Sequence, residues 1–259
     1  MIKKLLLSSL LMFGVVNAEN RDYLRSKPVL EKVGEKMPEL ATYPHLKYPN
    51  GCHEDLLKFY PDGKVRIFGY GSLMNKESAA KNMKPEAVAS MQPVVAFGVK
   101  RIFNYQATKT DHWGPGQDRK EKAMLNLFPS FNIGSIANGV TIEVDAEDLS
   151  SLVKRERGYD LVPIIVGNWN DIKDQNPEME MQIAYTFVVA SELRKNIAYS
   201  STEFYPVRGY LHAIQDGAKS FGKEFREVWN ATTYLADGTT TIDNWDEETF
   251  RGILCTKDP

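Results

Sequence analysis

Histidine is scarce in this 259-residue sequence, and basic residues are not in excess. The four histidines are scattered along the chain: His45, His53, His112 and His212. No two of them have the paired spacing typical of a metal site, so metal binding has little support. Lysine and arginine number 32 against 34 aspartates and glutamates, which gives a net charge of -2. A mildly acidic chain has no general attraction for nucleic acid or anionic lipid, and we expect neither as a partner.

Long apolar runs are absent apart from one near the start of the chain. Lys3 and Lys4 precede an apolar run over residues 5–16, and Ala18 follows as a small residue suited to cleavage. This order is typical of a secretory signal, and we predict a signal peptide over residues 1–18. A membrane anchor is the alternative, although the run is shorter than the roughly 18–20 residues that a spanning helix needs. We therefore expect an exported protein, periplasmic or secreted, with no membrane attachment after cleavage.

Cysteine occurs only twice, as Cys52 and Cys255. Export to an oxidising compartment permits a disulfide between them, which would tie the N-terminal part of the chain to its C-terminus. Two free thiols are the alternative, because separation in sequence says nothing about distance in space.

The composition divides the chain into an extension and a domain. Residues 19–63 are polar, rich in lysine, glutamate and proline, and show no strong hydrophobic period, so we predict an extension that wraps the domain. Residues 64–259 are predicted to form one domain. Its strands are predicted at residues 65–68, once or twice within 93–105 with a break near Gly98, and at 124–128, 139–144, 159–166 and 182–190.

Fewer segments of the domain have a helical pattern. Helices are predicted at residues 75–83, after Asp145, which can cap the first turn, and over residues 207–229. Residues 110–122, which contain six charged residues and a Gly-Pro-Gly sequence, are predicted to be a solvated loop. Several strands interleaved with a few helices, without a regular β-α-β alternation, favour an α+β fold over a doubly wound sheet.

The helix predicted after Asp145 has an acid where an apolar residue is expected. Four of its residues fall on one stripe at i, i+3, i+4 and i+7: Leu149, Leu152, Val153 and Glu156. Arg155 faces elsewhere on this pattern. Glu156 is therefore expected in a partly desolvated pocket, where burial would raise its pKa and make it a useful base. The alternative is that Gly158 ends the helix at once and Glu156 extends into solvent.

A glycine-rich turn, Gly69-Tyr70-Gly71-Ser72-Leu73, follows the first predicted strand. Glycine lets the backbone approach a ligand closely, and successive N–H groups in such a turn can converge on a carboxylate or an oxyanion. A plain turn is the alternative. Ser72 lacks the flanking glycines of a nucleophile elbow, and the turn lacks the later Gly and Lys-Ser/Thr of a phosphate loop.

Residues 68–74 closely resemble the Tyr-Gly-Ser-Leu loop of the gamma-glutamylcyclotransferase-like superfamily, especially its ChaC-type members. Further matches follow in the right order. Residues 100–104 resemble the superfamily's basic-aromatic strand, residues 138–140 the segment before its helix, and residues 152–159 its Arg-Glu-x-Gly-Tyr region. Tyr210-Leu211, followed by Gly217, is similar to a late helix that carries a tyrosine. By periodicity alone Tyr210 is also consistent with a core residue whose hydroxyl lies at the rim.

The resemblance implies a small mixed β-barrel with flanking helices, in an α+β fold with an N-terminal extension. It implies that Glu156 is the catalytic base, that Tyr70, Gly71, Ser72, Leu73 and Tyr210 bind the substrate, and that no metal or organic cofactor takes part. The implied partner is a small γ-glutamyl peptide or amine, which includes glutathione, and the product is 5-oxoproline. A non-catalytic secreted binding protein on the same fold is the competing hypothesis, because fold does not determine function.

Overall fold

The computed structural model describes residues 22–42, 56, 60, 62–106, 120–130 and 132–245. The predicted signal peptide, its cleavage after Ala18 and the predicted disulfide between Cys52 and Cys255 lie outside the described residues. Nine strands are described: β1 (Val65–Gly69), β2 (Gln92–Phe97), β3 (Val99–Gln106), β4 (Glu121–Pro129), β5 (Ile136–Val144), β6 (Tyr159–Asn168), β7 (Met181–Val189), β8 (Tyr205–Pro206) and β9 (Thr233–Leu235).

Seven α-helices are described alongside these strands. They are α1 (Lys27–Thr42), α2 (Lys76–Ala79), α3 (Pro85–Ala89), α4 (Ala146–Arg155), α5 (Trp169–Lys173), α6 (Arg208–Lys219) and α7 (Lys223–Ala231). In the described ranges, every helix is too short or too polar to cross a lipid bilayer.

Five strands form a closed barrel in the order β1-β5-β2-β6-β7. Four of the pairings are antiparallel, and the parallel pairing of β1 with β7, which aligns Ile67 with Tyr185, closes the ring. Closure leaves no free edge among these strands. Helices flank the barrel, so the predicted α+β fold with a small mixed β-barrel is confirmed.

The remaining strands form a second sheet, in the order β8-β4-β3-β9, which the sequence did not predict. The chain passes from the barrel to this sheet at Gly98, between β2 and β3, with a φ of +69° that favours glycine. The predicted break near Gly98 is therefore confirmed. The loop predicted over residues 110–122 is wrong at its end, because β4 already begins at Glu121 and buries that side chain, while Lys122 points outward.

One helix was not predicted from the sequence, and one predicted helix is shorter than expected. The extension contains the 16-residue helix α1, which packs on β6 and β7 through the fully buried Val29 and Val33. Its apolar residues are few among the charged ones, so the helical period is diluted in the sequence. The helix predicted at residues 75–83 ends at Ala79, and the chain then turns to Lys84, whose extended backbone is favoured by the following Pro85.

Helix α4 begins as the sequence predicted. The Asp145 side chain accepts hydrogen bonds from the backbone N–H groups of Glu147 and Asp148, at 3.0 and 2.9 Å, which satisfies two donors that a helix start leaves without partners. The cap fixes the start of α4 against β5, and the other end of the helix carries Glu156.

Helix α6 lies directly on the chain that follows β1. A β-carbon on Gly217 would lie 2.8 Å from the backbone nitrogen of Asn75, which is closer than side chains tolerate. The amide of Asn75 also donates a 3.1 Å hydrogen bond to the Ala213 carbonyl of α6. These close contacts hold α6, and with it Tyr210, against the glycine-rich turn.

Candidate functional site

The glycine-rich turn leaves the barrel at the end of β1 and forms a short 3-10 turn at Ser72–Met74. A β-carbon on Gly71 would lie 2.7 Å from the hydroxyl oxygen of Tyr210, so the chain passes Tyr210 only because position 71 has no side chain. The hydrogen bonds of the 3-10 turn begin with the N–H of Met74, which donates to the Gly71 carbonyl. The N–H groups of Ser72 and Leu73 precede these bonds, as the first donors of any helix do.

Glu156 lies at the C-terminal end of α4. Its backbone N–H still donates to Leu152, at 2.8 Å, and the chain reverses at Gly158, which has a φ of +94°. Its side chain is only 21% exposed, so Glu156 does not simply extend into solvent, which was the alternative left open by the sequence. Burial raises the pKa of Glu156, and the neighbouring Arg155 opposes that rise. The helical stripe thus located Glu156 on the buried side, although the helix ends one residue earlier.

The six predicted site residues line one cavity. They are Tyr70, Gly71, Ser72, Leu73, Glu156 and Tyr210, and they are joined by Phe68, Gly69, Leu125, Tyr159 and Phe187. The cavity is small, about 40 Å³, and opens to solvent. A larger ligand must therefore displace side chains or extend out through the mouth of the cavity.

Arg155 contacts both the glycine-rich turn and Glu156, although the helical pattern predicted that its side chain faces elsewhere. Its guanidinium donates to the hydroxyl oxygens of Ser72, at 2.9 Å, and Ser78, at 3.1 Å. Its Nε lies 3.2 Å from Oε1 of Glu156. Because the helix ends at Arg155, this long side chain can turn back towards the start of α2. The Arg-Glu pair of the resemblance was the only sequence signal that could have identified it.

Three tyrosines surround the carboxylate. The hydroxyl of Tyr70 donates to the Phe187 carbonyl at 2.7 Å, and that of Tyr159 donates to the Leu125 carbonyl at 3.2 Å. The ring of Tyr210 packs edge-on against Phe103, with centroids 6.2 Å apart. Burial raises the pKa of all three tyrosines, so they stay neutral hydroxyls near pH 7. Tyr159 was part of the resemblance but was not predicted as a site residue.

Three larger cavities lie away from Glu156 in the described part of the chain, one of them about 420 Å³ and beside Tyr60 and Lys64. A polar one of about 440 Å³ opens at the other end of the barrel, beside Arg66 and Glu143. An apolar one of about 390 Å³ lies between α1 and the barrel, beside Val33 and Val162. None of the three brings a buried acid next to the glycine-rich turn, so volume is a poorer guide here than chemistry. Among the described residues, histidine, cysteine and acidic side chains form no group of three that could hold a metal ion.

No family model matches the sequence, and no curated protein matches it. Among solved structures, a protein named gamma-glutamyl cyclotransferase is 18% identical, with 65% of this chain and 88% of its own covered and a TM-score of 0.43. A yeast gamma-glutamyl cyclotransferase specific to glutathione is 14% identical, with 66% and 97% covered and a TM-score of 0.42. YkqA from Bacillus subtilis is 18% identical, with 70% and 59% covered and a TM-score of 0.46. Likeness at this level carries no argument about activity, which has to be argued from the cavity.

Proposed function

We propose that the protein is a γ-glutamylcyclotransferase that releases 5-oxoproline from a γ-glutamyl peptide or amine. The observation that carries the proposal is Glu156, a largely buried carboxylate with a raised pKa in the same cavity as the turn Gly69 to Leu73. A base in this environment and a turn whose backbone borders the same cavity suit the proton transfer and the substrate binding of this reaction.

The reaction is intramolecular. Ionised Glu156 takes a proton from the α-ammonium group of the substrate, and the freed amine attacks the γ-carbonyl carbon to close a five-membered ring. The amide C–N bond then breaks, and the proton held by Glu156 passes to the departing nitrogen. The ring nitrogen gives up its second proton to the released amine or to water, which leaves the neutral lactam N–H and an ionised Glu156. The nucleophile is already tethered near its target, so positioning and proton transfer can supply most of the catalysis.

The turn is proposed to hold the substrate while Glu156 moves the proton. Backbone N–H groups between Tyr70 and Leu73 would bind the α-carboxylate or the developing oxyanion, and Tyr210 would border the glutamyl group. Arg155, through its contacts with both Ser72 and Glu156, would fix the turn and the base relative to each other. These steps need no metal or organic cofactor.

The predicted export leaves three kinds of γ-glutamyl substrate open. An exported enzyme would act in the periplasm or outside the cell, on glutathione, on another γ-glutamyl peptide or on a γ-glutamyl amine. Incubation of the mature protein with one compound of each kind, followed by measurement of 5-oxoproline, distinguishes them. A protein that releases 5-oxoproline from none of them is not a γ-glutamylcyclotransferase.

Glu156→Gln tests the base directly. It keeps the size of the side chain and removes the proton acceptor, so release of 5-oxoproline should fall by about 100-fold or more. Glu147→Gln on the same helix is the matched control, because that carboxylate is 77% exposed and far less enclosed. Full activity in Glu156→Gln would remove Glu156 from the proposed role.

A second candidate is a binding protein that keeps the pocket without turnover. The observation in its favour is the N-terminal extension, whose helix α1 packs on β6 and β7 and lies outside the residues that resemble the superfamily. Calorimetry with γ-glutamyl compounds separates the two candidates: heat of binding with no 5-oxoproline, and the same affinity in Glu156→Gln, would favour the binding protein.

A further inference from the structure

A second charged side chain, Arg101 on β3, lies fully buried behind the cavity. Its guanidinium donates to Thr233 Oγ1 at 2.7 Å, to Asn138 Oδ1 and the Trp229 carbonyl at 3.1 Å, and to Thr232 Oγ1 at 3.2 Å. A further bond goes to the Asn138 carbonyl. All of these acceptors, within the described residues, are neutral oxygens and none is a carboxylate.

The positive charge of Arg101 is therefore only partly neutralised by its surroundings. Two of its acceptors, on Trp229 and Thr232, belong to the end of α7, and the C-terminus of a helix carries a dipole equivalent to about half a negative charge. Burial lowers the pKa of Arg101, yet a guanidinium remains protonated in proteins. A buried cation without a full counter-charge is costly, which favours any bound group that supplies the missing negative charge.

Arg101 is close enough to the cavity to act on what binds there. Its guanidinium carbon lies 4.7 Å from the centre of the Trp229 ring, and the Trp229 indole N–H lies 3.4 Å from the carbonyl oxygen of Tyr70, in the glycine-rich turn. Burial raises the pKa of Tyr70 and Tyr210, and the positive charge of Arg101 opposes that rise, so its field reaches two hydroxyls that line the cavity.

The charges nearer the mouth do not supply the missing anion. Arg155 stands next to Glu156, and with Arg101 behind the turn the described site has two cations and one carboxylate. A γ-glutamyl group has an ammonium, which suits Glu156, and an α-carboxylate, which suits the positive side. The excess charge thus complements one end of the proposed substrate.

We infer that Arg101 is a specificity-determining residue, whose buried charge makes the cavity prefer a ligand with a free α-carboxylate over the same ligand with an α-carboxamide. It acts through the turn and does not contact the reacting atoms. The inference rests on the proposed function for its substrate, but the preference can be measured by binding as well as by turnover.

The test compares γ-glutamyl compounds that carry an α-carboxylate with their α-carboxamide analogues. For the wild-type protein we expect kcat/KM to favour the carboxylate by at least about tenfold, an ordinary electrostatic effect in a low-dielectric site. Arg101→Met removes the charge and should reduce this ratio about tenfold, mainly through the KM of the carboxylate compound. Arg101→Lys keeps the charge and should retain most of the ratio.

Trp229→Phe distinguishes the effect of the Arg101 charge from the effect of the contact between Trp229 and the turn. It removes the indole N–H from the Tyr70 carbonyl but leaves Arg101 in place, so overall activity should fall while the carboxylate preference stays. A purely structural Arg101 would lower kcat/KM for both compounds equally in Arg101→Met, and that result would overturn the inference. An unchanged ratio, or a wild-type protein that does not discriminate, would overturn it as well.

Two further measurements distinguish a failure of folding, or of the proposed function, from a failure of this inference. If Arg101→Met does not fold, as judged by circular dichroism, Arg101→Lys decides: a retained ratio supports the inference and a lost ratio overturns it. If the wild-type protein shows no turnover, the proposed function fails, and calorimetric titration with L-glutamate and its α-amide then measures the preference alone. Equal affinity for the two compounds would overturn the role of Arg101.

Discussion

The guanidinium of Arg155 donates a 2.9 Å hydrogen bond to the hydroxyl of Ser72, 83 residues earlier in the chain. The same guanidinium lies 3.2 Å from the Glu156 carboxylate. One side chain therefore links the turn after β1 to the end of α4, and the site has its shape only while both elements are held together. The functional consequence concerns both the position and the basicity of Glu156.

Arg155→Met should lower kcat/KM by about 10- to 100-fold, because the turn and the base lose their common contact. It should also move the acid limb of the kcat/KM profile to higher pH. Arg155 lowers the pKa of Glu156, so its removal lets that pKa rise, and a base must be deprotonated to act.

The pH profile of Arg155→Met is best compared with that of Lys154→Met, which removes an adjacent exposed charge that does not line the cavity. Arg155→Lys keeps a positive charge beside Glu156, so its acid limb should lie closer to that of the wild-type protein. It should not restore the hydrogen bonds that position the turn. An acid limb that stays in place in Arg155→Met would show that Arg155 does not act on Glu156.

Gly71→Ala should reduce activity by about tenfold or more, because the new methyl group would meet the Tyr210 hydroxyl at 2.7 Å and push the turn away from it. Tyr210→Phe removes that oxygen. In the double variant Gly71→Ala, Tyr210→Phe, the loss should be smaller than the sum of the two single losses, which a double-mutant cycle measures.

Gly34→Ala is the matched control for this substitution. Nothing lies within 4 Å of a β-carbon at position 34, and the residue is inside helix α1. Alanine there should raise stability by about 0.5–1 kcal/mol and leave kcat/KM unchanged. Additive losses in the double variant would show that the hydroxyl of Tyr210 does not limit the position of Gly71.

Much of the fold was predictable because its signals are local. The break at Gly98 and the cap at Asp145 depend on a few adjacent residues, and both appear in the structure as predicted. The stripe that ends at Glu156 also pointed to the buried side of α4. Local chemistry of this kind is readable from one sequence without knowledge of the neighbours in space.

The parts that were missed depend on distant partners or on where an element ends. Strand β9 joins β3 in parallel, over 130 residues away in sequence at Arg101 and Thr233, and no local pattern shows such a pairing. The prediction for Arg155 was wrong because helical spacing gives the direction in which a side chain leaves the helix and not where the end of a long side chain reaches. The side chain of Arg155 leaves the last residue of α4, and its guanidinium reaches Ser72.

Gly217→Ala should destabilise the protein by about 1–3 kcal/mol, because the methyl group would lie 2.8 Å from the backbone of Met74 and Asn75, which cannot move aside like a side chain. Thermal or urea unfolding measures the effect, with Gly34→Ala as the control. Since α6 would be displaced from the turn, activity should fall in the folded fraction too. Unchanged stability would mean that α6 is not held at this contact.

The buried carboxylate of Glu156 should make stability depend on pH in a predictable direction. Its pKa is raised above the ordinary value of 4.5, so the folded state holds the proton more tightly than the unfolded state. The stability that this gives is fully present below pH 4.5 and is lost as pH rises through the folded-state pKa. Glu156→Gln stays neutral and should not lose it.

The free energy of unfolding of Glu156→Gln, relative to wild type, should therefore increase as pH rises from about 4 to 7. Urea unfolding at several pH values measures this difference, and Glu147→Gln, at a mostly exposed carboxylate, serves as the control. A difference that is constant with pH would show that Glu156 is solvated like an ordinary surface acid. It would then lack the raised basicity on which the proposed proton transfer depends.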